Sequence, residues 1–101
     1  MDKRLELHKI LCEVLGSNNV YYQPPESVRM NYPAIVYSRS DIENRFANNS
    51  VYTQSYFYII TVIDYDPDSE IVYRLSQLPG CRYDRHYTVD NLNHDVFTLY
   101  N

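Results

Sequence analysis

The chain has 101 residues, 45% of them apolar and 22% charged, and a formal net charge of −4. That length supports one domain with a modest core and excludes a two-lobed enzyme with a deep cleft between its lobes. The acidic balance argues against broad neutralisation of nucleic-acid phosphates, and no apolar run approaches the ~20 residues of a membrane-spanning helix.

Residues 1–6 carry no apolar signal-peptide core and run straight into a helical pattern, so synthesis and folding in the cytoplasm are expected. Over residues 3–15, Leu7, Ile10, Leu11, Val14 and Leu15 follow i, i+3, i+4, i+7, i+8 spacing, and Gly16 stands where a left-handed cap would end an amphipathic helix. His8 lies off that stripe and is expected in solvent. A turn at 17–19 precedes a short strand at 20–23, which Pro24-Pro25 stops by removing two ladder donors. Residues 26–31 are expected as a loop. Tyr32-Pro33 reopens extended structure, because a residue before proline is pushed out of the helical region, and 34–38 continues as a strand.

Residues 39–50 turn polar, with only Ile42, Phe46 and Ala47 among Arg39, Asp41, Glu43, Asn44, Arg45, Asn48 and Asn49. They read as the mobile tip of an extended β-hairpin that returns through Tyr52. The Asn48-Asn49-Ser50 sequon has no role in a chain expected to stay in the cytoplasm. Residues 52–65 are β-branched and aromatic without Gly or Pro, and at ~3.3 Å per residue they would span roughly 45 Å. A domain of this size has a radius of gyration of about 13 Å, so one end of that strand must bend or overhang the sheet.

Alternation along the long strand puts Phe57, Ile59 and Ile63 on one side and Tyr56, Tyr58, Ile60 and Val62 on the other. Two helices can shield only one face of a sheet, so the tyrosine-bearing face is expected to meet other subunits. The twelve tyrosines, with no tryptophan, suit both half-buried strand positions and interfaces. Asp66 as cap, Pro67 in the first turn, and Asp68 and Glu70 near the positive helix end predict a second helix with the stripe Ile71, Val72, Leu75 and Leu78, ended by Pro79-Gly80. Two strands follow, at about 81–89 and 95–100, joined by the polar turn 90–94. The order αβββαββ predicts a single α+β domain: a mostly antiparallel or mixed sheet of about four to five strands, a long protruding hairpin, and both helices on one face.

Chemistry-bearing patterns fare less well. Asp64, Asp66 and Asp68 imitate the start of a calcium loop, but its sixth position is Ser69 rather than Gly and its twelfth is Leu75 rather than Glu, so helix capping explains them better. His86 and His94, near Asp84, Asp90 and Asp95, lack compact metal-ligand spacing. Cys12 and Cys81 form no redox or metal motif and read as small hydrophobes. No Gly-x-Ser-x-Gly elbow is present, and Gly16 and Gly80 are the only glycines, too few for a phosphate-cradling loop. No catalytic residue, cofactor or metal is expected. Residues 82–87 interleave bases with aromatics, which can clamp single-stranded nucleic acid, but alternation splits the cations between faces, and a strand edge that deters stray pairing explains them better.

The segments Tyr21-Tyr22-Gln23-Pro24-Pro25, 30–37, 58–69 and 90–100 together resemble the small tail-terminator proteins of long-tailed bacteriophages, almost end to end. The resemblance implies a virion protein, made in the host cytoplasm and placed at the head–tail junction. There it would form a homohexameric ring that caps the tail tube, ends its polymerisation and faces the head connector. Its partners would be copies of itself, the tail tube protein and the connector or neck proteins, with no membrane. DNA would pass through the ring without specific binding, which an acidic lumen suits. The family carries no catalytic residues over. Tyr52, Tyr56 and Tyr58 are the candidate contact residues, with Arg45 and Phe46 in the arm. A neck or head-closure adaptor, a small non-viral binding module and a hydrolase with a cryptic site remain alternatives.

Overall fold

Seven elements build the chain: α1 (Lys3–Leu15), β1 (Val20–Tyr22), β2 (Ala34–Ala47), β3 (Ser50–Asp64), α2 (Glu70–Ser76), β4 (Cys81–Val89) and β5 (Leu92–Tyr100). The computed structural model describes residues 3–25, 27–48 and 50–100, and their side chains except at 47 and 51–53. The strands form one sheet in the order β1-β2-β3-β5-β4. β1 runs parallel to β2, and every other neighbour is antiparallel. This is an α+β domain with a mixed five-stranded sheet. The parallel pair requires a crossover rather than a tight turn, and the stretch after Tyr22, broken by Pro24, Pro25 and Pro33, supplies it.

Helix α1 lies on the sheet through Leu7, Leu11 and Leu15, spaced four apart and all buried, and α2 joins it through Ile71 and Leu75. Beneath them lie Ile35 and Tyr37 of β2, Tyr58, Ile60 and Val62 of β3, and Phe97 and Leu99 of β5. The ladder explains why these residues share a face, since Tyr37 is opposite Ile60, Tyr58 opposite Leu99, and Ile60 opposite Phe97. Fully burying each such side chain contributes roughly 1.5–3 kcal/mol, so this layer is the main source of stability.

Three expectations need correction. The tyrosine-bearing face of β3 is the one the helices cover, and Tyr58 is only 1% exposed. Thr61 supplies the reason: its hydroxyl interrupts the Phe57–Ile59–Ile63 face, whereas Tyr58, Ile60 and Val62 offer the helices an unbroken apolar surface. Second, the polar segment after Ser38 is strand as far as Ala47, because β3 holds it by antiparallel pairing, with register shifts between Arg39 and Asp41 and between Arg45 and Phe46, despite its polarity. Third, α2 is capped by Ser69, whose Oγ accepts from the Ile71 N–H (3.3 Å). Asp64 and Asp66 are occupied instead in consecutive side-chain turns, accepting from the N–H groups of Asp66 (3.1 Å) and Asp68 (2.9 Å).

Candidate assembly surface

Pairing between β3 and β5 ends at Phe57 opposite Tyr100, but β2 and β3 stay paired from Ile42 opposite Tyr56 out to Ala47 opposite Ser50. At ~3.3 Å per residue this two-stranded arm extends roughly 20 Å beyond the five-stranded body. The molecule is accordingly elongated, with extents of 52 × 26 × 22 Å. Asn48, at φ +53°, begins the reversal at the tip, a backbone region that asparagine tolerates better than most residues. Polar rungs hold the arm: Gln54 Nε2 donates to Asn44 Oδ1 (2.9 Å), and Tyr56 Oη donates to Gln54 Oε1 (3.0 Å).

The five candidate contact residues do not form one patch. Arg45 and Phe46 lie exposed on the arm, Phe46 at 66%. Tyr56 is half-buried at the margin of the core, with Lys3 Nζ 6.0 Å from its ring centre. Tyr58 belongs to the core, where burial pushes its hydroxyl pKa up, and is removed from the contact set. The side chain of Tyr52 lies outside the described residues.

The apolar surface without helices is the opposite side of the sheet. Phe57 and Tyr100 meet there edge to face (5.1 Å), Ser55 Oγ donates to Tyr100 Oη (2.8 Å), and Ile59 stands beside them, 40% exposed. Tyr87 stacks on His94 (4.7 Å) further along the same side. The crossover reaches this face near β1, where the Asn31 N–H donates to Tyr21 Oη (3.4 Å). Sequence reasoning missed Phe57, Ile59 and Tyr100 as the open patch; the interruption at Thr61 was the signal that could have found them.

Both lateral edges of the sheet are open over part of their length. Strand β1 pairs only with Ile35 to Tyr37, and Gln23 Oε1 takes the Arg39 N–H just beyond (3.4 Å). Among the described residues, β2 has no neighbouring strand on that side from Ser40 outward, and β4 has none on its outer side along its whole length. Residues 82–89 of β4 are all exposed.

The titratable side chains are spread out. His86 Nε2 lies 3.0 Å from Asn93 Oδ1, His94 Nδ1 lies 3.1 Å from the Leu92 carbonyl, and Asp95 accepts from Tyr83 Oη (3.0 Å). Burial, with that bond to Asp95 second, raises the Tyr83 pKa. Among the described residues no three His, Cys, Asp or Glu side chains converge as a metal site. Both thiols are free and half-buried, and burial pushes the Cys81 pKa up to about 11. His8 is not a solvent residue: its Nδ1 lies 2.7 Å from Tyr37 Oη. A mostly apolar cleft between α1 and the end of α2 is lined by Glu6, Leu7, Ile10, Leu78, Pro79, Leu99 and Tyr100. No described helix is long and apolar enough to cross a membrane. No protein-family model matches the chain, and a search of curated proteins found no significant match.

Proposed function

We propose that the protein is a structural virion subunit that forms a ring, in the manner of phage tail terminators, on the end of the tail tube. The observation that carries this reading is the arm: two paired strands that continue past the last rung shared with β5 and carry exposed Arg45 and Phe46. A domain that places ordered apolar and charged groups about 20 Å outside its own core is suited to touching a neighbour rather than a small ligand. The uncovered patch at Phe57, Ile59 and Tyr100 adds a second surface at the base of the arm. Two different patches on one subunit are what a heterologous, ring-closing contact requires.

In this reading the ring offers the tube a complementary surface on one side and withholds it on the other, so growth stops for lack of a template. The other side is left to the head connector. No group transfer or hydrolysis is assigned to the chain, and DNA passes through the opening without being held. Deleting the gene from a phage that carries it tests the reading directly. Electron micrographs should show abnormally long tails. Tails of normal length left unattached to heads would indicate a neck adaptor instead, and normal virions would overturn both.

A further inference from the structure

The geometry points to a specific subunit contact: residues 82–85 of β4 in one copy add antiparallel to the free arm edge of β2 in the next copy, with Arg82 opposite Glu43, Tyr83 opposite Ile42, and Arg85 opposite Asp41, and the rest of β4 splays away where Gln23 and β1 hold β2 from Arg39 inward. This deepens the ring reading by naming the chain itself as the partner of its two open edges.

Strand direction permits the contact. Successive antiparallel pairings from β2 through β3 and β5 leave β4 running opposite to β2. A neighbouring copy in the same orientation therefore presents an antiparallel edge, which continues the ladder from subunit to subunit.

Charge and face select the register. Residues opposite one another in a ladder share a face. Arg82 and Arg85 pair with Thr98 and Val96, and Asp41 and Glu43 pair with Phe57 and Ser55. Thr98, Val96, Phe57 and Ser55 all lie on the face without helices, because Ile59 is opposite Thr98, Thr61 opposite Val96, and Phe57 opposite Tyr100. One face thus carries Arg82 and Arg85 on one free edge and Asp41 and Glu43, followed by Arg45, on the other, all five exposed. The β4 bulge between Tyr83 and Arg85 brings the spacings into agreement, since Arg82 and Arg85 become ladder neighbours one rung removed, as Asp41 and Glu43 are. On the helix face the same register sets Tyr83, 52% exposed, against Ile42, 36% exposed.

The side chains of Arg82 and Glu43 make no hydrogen bond or ion pair with any described residue. Arg85 holds only its neighbour Asp84 (2.8 Å), a solvent-exposed pair that yields at little cost. Of the like-with-like contacts, β4 against β4 would set Arg82 near Arg85. The proposed contact joins two different edges, which is the head-to-tail kind that generates rings.

Charge reversal tests the contact. One variant carries Arg82→Glu and Arg85→Glu, and a second carries Asp41→Arg and Glu43→Arg. Self-association is followed by sedimentation velocity and native mass spectrometry, with circular dichroism to verify folding. Wild type should associate with concentration, and each variant alone should need at least tenfold more protein. An equimolar mixture should recover wild-type association, because acidic and basic subunits then alternate around the ring. Wild type that stays monomeric to about 1 mM, or variants that associate as wild type does, would overturn the contact. If the reversals are without effect while gene deletion still lengthens tails, the contact fails and the ring reading stands; the opposite pair of results removes the terminator role and keeps the contact.

Discussion

Tyr37 shows how one hydroxyl ties a helix to the sheet. Its ring is buried beside Tyr22 (4.9 Å) and Tyr58 (6.1 Å), while its oxygen accepts from Arg4 Nη1 (3.4 Å) and lies 2.7 Å from His8 Nδ1. With Arg4 donating to that oxygen, the hydroxyl proton is free to go to Nδ1, which requires a neutral imidazole. Burial first and the Arg4 guanidinium second lower the His8 pKa below its ordinary 6.5. The unfolded chain therefore takes up a proton at His8 that the folded chain resists. The associated stability is present in full above about pH 6.5 and is lost as pH falls through the depressed folded value. Urea midpoints measured from pH 7.5 to pH 5 should fall more steeply in wild type than in a His8→Asn variant; parallel curves would contradict the assignment. Tyr37→Phe should cost about 1 kcal/mol at neutral pH, the net value of a hydrogen bond of this kind. No periodicity in the sequence could reveal this pair, because His8 and Tyr37 come from different elements and meet only after α1 docks.

The elements themselves were mostly legible. Spacing of four among Leu7, Leu11 and Leu15 located α1 and its buried side, although Ile10, counted in the same stripe, is 41% exposed beside the cleft. The first turn of α2 was less legible, because Asp66, Pro67 and Ser69 are all acceptable helix-start residues and only the side-chain turns at Asp64 and Asp66 leave the cap to Ser69. Two glycines close elements with different stringency. Both have positive φ, +82° at Gly16 and +77° at Gly80, so alanine at either position is strained. A Cβ at Gly16 meets nothing within 4 Å, whereas one at Gly80 would overlap the Tyr100 carbonyl oxygen. That oxygen belongs to backbone, and the Tyr100 N–H in turn donates to the Gly80 carbonyl (2.9 Å), so neither partner can move independently. Gly16→Ala should cost about 1 kcal/mol, while Gly80→Ala should cost at least twice that and loosen the junction of β4 with β5. Thermal denaturation of the two variants checks the order, and equal losses would contradict it.

At the scale of the molecule, the body and the arm are held by different forces. The body is held by the helix-covered layer around Leu11, Ile60, Leu75 and Phe97, and the described side chains of that core lie in the body. The arm beyond Tyr56 is held by its own ladder and by Asn44 and Gln54. Replacing residues 44–54 with an Asn-Gly turn between the paired Glu43 and Ser55 should therefore leave the melting temperature within a few degrees of wild type, since little core burial is removed. The same excision should abolish activity in tail-length complementation. A large loss of stability would show that the arm is part of the folding unit, and unchanged complementation would show that it is not an assembly element.

Composition and periodicity alone determined a single α+β domain, the number and order of its elements, the two faces of β3 and the excess length of that strand. All of these are local properties, carried by side-chain alternation and by Gly and Pro punctuation. Which face of β3 lies under the helices, how far β2 follows β3 past Ser38, and which edges of the sheet stay open were decided only by the tertiary structure. Each depends on what packs or pairs across the chain: α1 and α2 settle on the unbroken apolar face, and a polar strand is kept extended by a partner many residues away. Tyr58 and Ile59 are adjacent in sequence and alike in strand preference, yet one is core and the other surface, because the helices can occupy only one side of the sheet.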